Sequence, residues 1–303
     1  MHLTPSERTA ELTPSQPRRA QVGKLFLLLA VAAIGAICVL PLVIVISASL
    51  SSERSLVEWG YSLLPREFSI AAYAYLWHQP DQLAASYGIT TFVTVTGTLG
   101  GLLLSSLLAY PLARRDFRWR RPLSFYVFFT MLFNGGLVPT YIVVSQVLHL
   151  KDTVWALILP YLIVPWFVLL LRTFFAMLPV EIIESAQMDG FGEYRLFFRI
   201  VLPLSTPVLA TVALFASLNY WNDWFLALLY IDDRRLLPLQ YLLVTIIQNI
   251  EAINMSANTV TTAAPAESVR MATAVLAIGP IVFVYSFLQK YFVQGLTVGA
   301  IKG

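Results

Sequence analysis

Long apolar runs separated by short polar segments make up most of the chain, and their lengths decide what they are. Runs at Leu25 to about Leu50, Thr90–Leu112, Leu123–Val147, Thr153–Leu171, Pro207–Ile231 and Ala272–Leu288 each approach the ~20 residues that a helix needs to cross a hydrocarbon core. Backbone amides find no water there, so the pattern predicts an all-α membrane protein with six transmembrane helices. Two intervening segments, 51–89 and 232–270, are too long for turns and contain apolar or amphipathic pieces of their own. Within the second, Leu236–Ile250 is apolar but short for a crossing, which fits an interfacial or re-entrant helix better than a seventh span.

A polar island interrupts this pattern between the fourth and fifth crossings, over residues 178–206. Its centre reads Glu184-Ser185-Ala186-Gln187-Met188-Asp189-Gly190. Pro179 suits a first helical turn because its missing N–H would be unpaired there, and Glu181 adds a favourable charge near that positive end. Ile182, Ile183 and Ala186 share one face, and Gly190 is placed to take the left-handed conformation that ends a helix. Gly192 and Glu193 then open a second helix, with Arg195 and Arg199 one turn apart and Phe197, Phe198 and Ile200 on its apolar side. Pro203 marks the junction with the fifth crossing. The predicted object is a helix-turn-helix that is acidic in its first half and basic in its second. By pattern alone it is equally an interfacial loop with solvated charges or a docking surface.

Composition agrees with a membrane protein and narrows what else the chain does. Of 303 residues, 58% are hydrophobic and only 12% charged, against about 25% charged in soluble domains; the mean hydropathy is +0.72. The net charge of +3 forms no basic stripe with interleaved aromatics, so nucleic acid is not an expected partner. Cys38 is the single cysteine and can form no internal disulfide. Residues 1–24 are rich in Pro, Ser, Thr and charge and read as a disordered tail. The apolar run that follows is longer than the ~7–15 residues of a signal-peptide core, so it reads as a retained first span.

Charge bias sets the expected orientation. With the N-terminus inside, the inner face collects Arg8, Arg18, Arg19 and Lys24, the five-arginine loop Arg114, Arg115, Arg118, Arg120 and Arg121, then Arg172, Arg195, Arg199, Lys290 and Lys302. The outer face receives only Arg54, Arg66, Lys151, Arg234, Arg235 and Arg270. The positive-inside rule therefore places the polar island in the cytoplasm. It divides the chain into a cytoplasmic tail 1–24, a membrane domain 25–293 with a cytoplasmic loop 178–206 and outer loops 51–89 and 232–270, and a cytoplasmic C-terminal tail 294–303.

Candidate chemistry is sparse. His2, His78 and His149 lie in the tail or outer loops without ligand spacing, so an intramembrane hydrolase has no convergent groups and no metal site is expected. Gly23-Lys24 lacks the upstream glycine of a phosphate loop, since Arg18 stands there. An ion-coupled secondary transporter is the alternative, but it would normally show repeated halves and more buried carboxylates. Gly97 and Gly101 form a GxxxG pair that points to close helix contact. Gly135, Gly136 and Pro139 in the third crossing, and Gly279-Pro280 in the sixth, are breaks suited equally to a pathway or to packing. Asn219, Tyr220, Trp221, Asn222, Asp223 and Trp224 form a polar and aromatic cluster in the fifth crossing. Such a cluster could line a sugar route or bond to a neighbouring helix near the outer interface.

The spacing in the island adds a family resemblance. Glu184-Ser185-Ala186, then Gly190, then Ile200, Leu202 and Pro203 resembles the EAA signature of permease subunits in binding-protein-dependent ABC importers, with Ser185 in place of the usual alanine. Phe133-Asn134-Gly135-Gly136-Leu137-Val138-Pro139, Trp155-Ala156-Leu157-Ile158-Leu159-Pro160 and the terminal Gln289–Gly303 segment are similar to the carbohydrate-uptake, MalG-like branch. The resemblance implies a type I importer fold and a bacterial plasma-membrane location. It implies as partners a second homologous permease subunit, two ATP-binding subunits that hold ATP and Mg, an extracytoplasmic solute-binding protein and an oligosaccharide, with no cofactor in this chain. It further implies that the EAA helix sits in a cleft of the ATPase. Glu184 would pair with a basic group there, Ala186 would allow close approach and Gly190 would supply the bend, with Ser185, Asp189, Ile200, Leu202 and Pro203 completing the surface. In that family the sugar is held mainly by the partner permease.

Overall fold

The computed structural model describes residues 18–78, 80–256 and 265–282. The tail 1–17, the end of the sixth run and the 294–303 segment lie outside the described residues. Helix α1, Arg18–Ser49, starts inside the segment read as a disordered tail, so that boundary moves toward the N-terminus. Its most apolar stretch, Phe26–Ser49, is long enough to cross a membrane, and side chains such as Phe26 and Ile37 are exposed. Among its described side chains only Ser47, Ala48 and Ser49, at its far end, are buried. A surface of that kind is stable only against lipid or another apolar chain.

Helix α2, Pro80–Ala113, is the centre of the fold and packs chiefly on α6, Pro165–Phe175, and α9, Thr206–Asn222. Its buried face is a stripe of small and hydroxyl side chains, including Ser86, Thr90, Thr94, Gly97, Gly101, Ser105 and Ala109. Within a bilayer there is no hydrophobic gain in pairing helices, so close backbone approach through small residues is what holds them. Gly97 and Gly101 have that role. A Cβ at Gly97 would fall on the Tyr220 ring, and one at Gly101 would lie 2.8 Å from the carbonyl oxygen of Leu162.

The third, fourth and fifth runs are bent rather than straight. Helix α3, Arg120–Leu132, meets α4, Leu137–Val147, at 109°; α5, Val154–Tyr161, meets α6 at 48°; α8, Glu193–Leu204, meets α9 at 80°. The first break is made by Phe133-Asn134-Gly135-Gly136, where Gly136 has φ +88° and its N–H is capped by Asn134 Oδ1 at 2.9 Å. The second follows from Pro165 at the first turn of α6. The fifth run ends early, because α9 stops at Asn222 and a separate short helix, α10, Phe225–Tyr230, follows.

Outside these crossings, the segment 51–89 contains short helices Glu53–Trp59 and Ala71–Leu76 as well as the first turns of α2. The Leu236–Ile250 run becomes α11, Leu239–Ser256, which buries Leu239 and Leu243 against Leu83 and Trp221. Helix α12 covers residues 266–282 and passes through Gly279 and Pro280 without a break, contrary to the disruption expected there. Its start is capped by the Glu53 carboxylate, which accepts from the Glu267 and Ser268 amides at 2.9 and 2.8 Å. Asp152 ties the α4–α5 turn to the segment after α10 by accepting from the amides of Asp232 and Asp233 at 2.6 and 2.9 Å, and these bonds hold its carboxyl below the usual range.

The two largest apolar clusters among the described residues lie toward opposite ends of α2. One joins Leu112, Val168, Leu171, Phe197, Val201 and Val212 near the polar island. The other joins Val93, Leu157, Tyr220, Ala227 and Tyr230 at the opposite end of α2.

Candidate functional site

The island folds as two short helices around a tight reversal. Helix α7, Val180–Met188, begins after Pro179 and ends in a Schellman arrangement: Gly190 N–H donates to Gln187 O and Phe191 N–H to Ala186 O, both at 3.0 Å, with Gly190 at φ +77°. A side chain at that φ is strained by about 1–2 kcal/mol, so glycine is what lets the chain turn here. Gly192 caps α8, as its position suggested.

Burial divides the island sharply. Ala186 is the single buried residue of α7, while Glu184, Ser185, Asp189 and Gly190 are exposed and Met188 stands 89% open. Glu184 makes no hydrogen bond or ion pair among the described residues. Helix α8 is the opposite. Leu196 is buried, and Phe197 and Val201 are buried in the cluster that contains α2, α6 and α9, leaving Ile200 and Leu202 half-buried and Pro203 exposed. The bend into α9 falls at Ser205, just beyond Pro203. A free helix is thus mounted on a deeply anchored one.

The connection to the membrane helices runs through Glu193, which the pattern had marked only as a helix-opening charge. Its Oε2 accepts from the Tyr110 hydroxyl at 2.6 Å and its Oε1 from Gln187 Nε2 at 3.2 Å, while the Arg114 guanidinium lies 3.6 Å away. One carboxylate therefore joins α7, α8 and the end of α2. Arg114 also binds Asp116 through two hydrogen bonds of 3.1 and 3.0 Å, which hold the Asp116 carboxyl below the usual carboxylate range. Between this turn and α7 lies a cavity of about 770 Å³ that Arg115, Arg120, Glu181 and Glu184 help to line.

The second group of candidate residues is largely spent on the scaffold. Tyr220 is buried and donates to Ile158 O at 2.9 Å; Trp221 is buried and its Nε1 donates to Ala277 O at 3.0 Å. Asp223 accepts from the Tyr161 hydroxyl at 3.2 Å and from the Leu226 amide at 3.1 Å, so it caps α10. Asn219, Asn222, Gly135 and Gly136 remain exposed. Among the described residues no group of three or more His, Cys, Asp or Glu is placed to hold a metal ion.

Comparison with known proteins fits this arrangement. The sequence profile of the family described as "Binding-protein-dependent transport system inner membrane component" matches residues 101–298. The chain is 44% identical to protein LplC of Bacillus subtilis (strain 168), over 89% of this chain and 91% of that one. It is 42% identical to the polygalacturonan/rhamnogalacturonan transport system permease protein YtcP of the same organism, over 88% and 93%. Among solved structures, a bacterial ABC transporter involved in the import of the acidic polysaccharide alginate superposes with a TM-score of 0.77 at 26% identity, covering 92% of this chain and 100% of that one. The chain belongs to the inner-membrane components of binding-protein-dependent transport systems, the multi-pass permeases of ABC importers, and is a transport subunit rather than an enzyme.

Proposed function

We propose that this chain forms half of the translocation path of an ATP-driven oligosaccharide importer and that α7 is the surface through which a cytoplasmic ATPase drives it. The docking reading is carried by one observation: a short helix whose only buried residue is Ala186 projects from a helix anchored in the membrane core. Glu184 offers an unpaired carboxylate to a basic group of the ATPase, and Ala186 lets the two backbones approach. Ser185, Asp189, Gly190, Ile200, Leu202 and Pro203 complete the contact. The remaining partners are a second homologous permease subunit, a second copy of the ATPase and an extracytoplasmic solute-binding protein. The N-terminus and the island face the cytoplasm, as charge bias requires. Of the candidate path residues, Asn219, Asn222, Gly135 and Gly136 are the exposed ones and so open to a passing solute, and the main sugar contacts belong to the partner permease.

Relatives named for polygalacturonan/rhamnogalacturonan and for alginate support an oligosaccharide as cargo. Polygalacturonan and alginate are polymers of uronic acids, so short oligouronides are the first substrates to test. Proteoliposomes holding the complete complex should take up an oligouronide only with internal ATP and external binding protein. Uptake by this chain alone, driven by a proton or sodium gradient, would overturn the reading.

Glu193 separates docking from transmission. Glu193→Ala is expected to leave the ATPase bound, because the exposed face of α7 is untouched, while transport per bound ATPase falls about tenfold. That figure corresponds to loss of one charge-assisted hydrogen bond. The Arg114 contact adds little, since the Glu193 side chain is 54% exposed and screened. Equal loss of ATPase binding and transport would reduce Glu193 to a merely structural role.

A further inference from the structure

The turn between α2 and α3 gathers more positive charge than its own acids neutralise. Arg115 and Arg118 from this turn, Arg120 and Arg121 from the start of α3, and Arg172 from α6 line one cavity of about 570 Å³ together with Asp116 and Phe117. Asp116 is its one acid, and that carboxylate is already engaged by Arg114, which does not line the cavity. Arg172 is oriented by its Nε donating to Leu112 O at 3.2 Å. Arg115, Arg118, Arg120 and Arg121 make no ion pair among the described residues. Five guanidinium groups converging on one space repel each other, and an anion placed among them converts that repulsion into attraction. Planar guanidinium forks match phosphate oxygens in particular.

The position of the cavity selects the source of the anion. It lies at the end of α2, one of the two unbroken helices long and apolar enough to cross a membrane among the described residues. Beside it Trp119 is 60% exposed, and the exposed side chains of Phe125, Tyr126 and Phe129 run along α3. Indole rings favour the headgroup level of a bilayer, and the apolar face of α3 is where acyl chains would lie. A soluble phosphate would gain nothing from that face. An orientation signal, for its part, needs positive charge only in the loop and does not require Arg172 to converge from a different crossing.

We propose that this cavity binds the phosphate headgroup of an anionic phospholipid, phosphatidylglycerol or cardiolipin, with its acyl chains along α3. Basic pockets between membrane helices hold such headgroups through the same chemistry. The cavity shares Arg115, Asp116 and Arg120 with the space beneath α7, so the bound lipid would brace the turn on which α7 rests.

The test uses the complete complex in nanodiscs of phosphatidylcholine carrying a small fraction of labelled phosphatidylglycerol. Wild type should enrich the labelled lipid at its surface. Arg118→Gln with Arg121→Gln, two exposed residues without ion-pair partners among the described residues, should weaken that binding about thirty-fold, from the contribution of each cation near a charged headgroup. Arg234→Gln with Arg235→Gln should change nothing. Arg172→Gln should weaken binding likewise, and Arg172→Lys, which keeps the charge but loses the fork, should fall between; these two carry the test if the double variant does not assemble. Equal enrichment of labelled phosphatidylcholine would overturn the proposal. So would complete displacement of the label by millimolar inorganic phosphate, which would mark a soluble-anion site instead.

Discussion

A Gly97→Leu complex is expected to melt well below the unsubstituted one. The Cβ alone would fall on the ring of Tyr220, and that ring has nowhere to go: it is buried between α2, α5 and α9, with its hydroxyl bonded to Ile158 O at 2.9 Å. Overfilling a packed site costs about 1–3 kcal/mol in ordinary cores. Here the cost should reach the upper end or beyond, because α2 and α9 must separate to admit the side chain. Gly101→Ala meets a backbone carbonyl, which yields even less than a side chain. Gly88 lies on the same helix with nothing within 4 Å of its position, so Gly88→Leu is the matched control. Thermal unfolding of the detergent-purified complex should show a large loss for Gly97→Leu and none for Gly88→Leu. Equal melting temperatures for the two would refute the packing account.

Glu184→Arg is expected to abolish retention of the ATPase by an otherwise normal membrane subunit. The side chain is exposed and makes no hydrogen bond or ion pair among the described residues, so reversing it breaks no contact within this chain, although it sets a cation on the wall shared with Arg115 and Arg120. Truncating one member of a desolvated interfacial charge pair costs about 2–5 kcal/mol, and reversal adds repulsion to that. Affinity should therefore fall by a factor of roughly a hundred or more. Glu184→Gln, which keeps the shape and removes only the charge, should lose less. The measurement is co-purification of the ATPase through an affinity tag on this subunit, with membrane insertion checked in parallel. Undiminished co-purification of the Glu184→Arg chain would remove Glu184 from the docking surface.

The features legible in the sequence were those fixed by local backbone chemistry. Pro179 and Gly190 bound α7 because one lacks an amide hydrogen and the other tolerates positive φ, and both properties are intrinsic to the residue. The Gly135-Gly136 break and the GxxxG contact were readable for the same reason. Glu193 was not. Its partners, Tyr110 and Arg114, belong to another crossing, and no periodicity records which polar groups meet once helices pack. Tyr220, Trp221 and Asp223 show the converse. As a string they form a polar cluster at membrane depth, but folding spends their polar groups on the carbonyls, hydroxyl and amide of neighbouring segments. The unbroken course of α12 through Gly279-Pro280 adds a further lesson: proline tends to break a helix only where its neighbours do not compensate for the lost amide.

The 80° angle between α8 and α9 makes the pair a bell-crank. At 1.5 Å per residue, the Glu193–Leu204 arm is about 18 Å long, so turning it by about 10° moves its tip about 3 Å. The pivot is Ser205, fully buried, and the second arm is the helix whose Tyr220 fills the notch left by Gly97. A sideways displacement at the Gly192 end would thus emerge as a tilt of α9, at right angles to the push. Stiffness at the pivot, rather than strength of grip at the tip, would then set how much of each ATPase stroke reaches the membrane, and Ser205→Gly would be the way to make the crank slip.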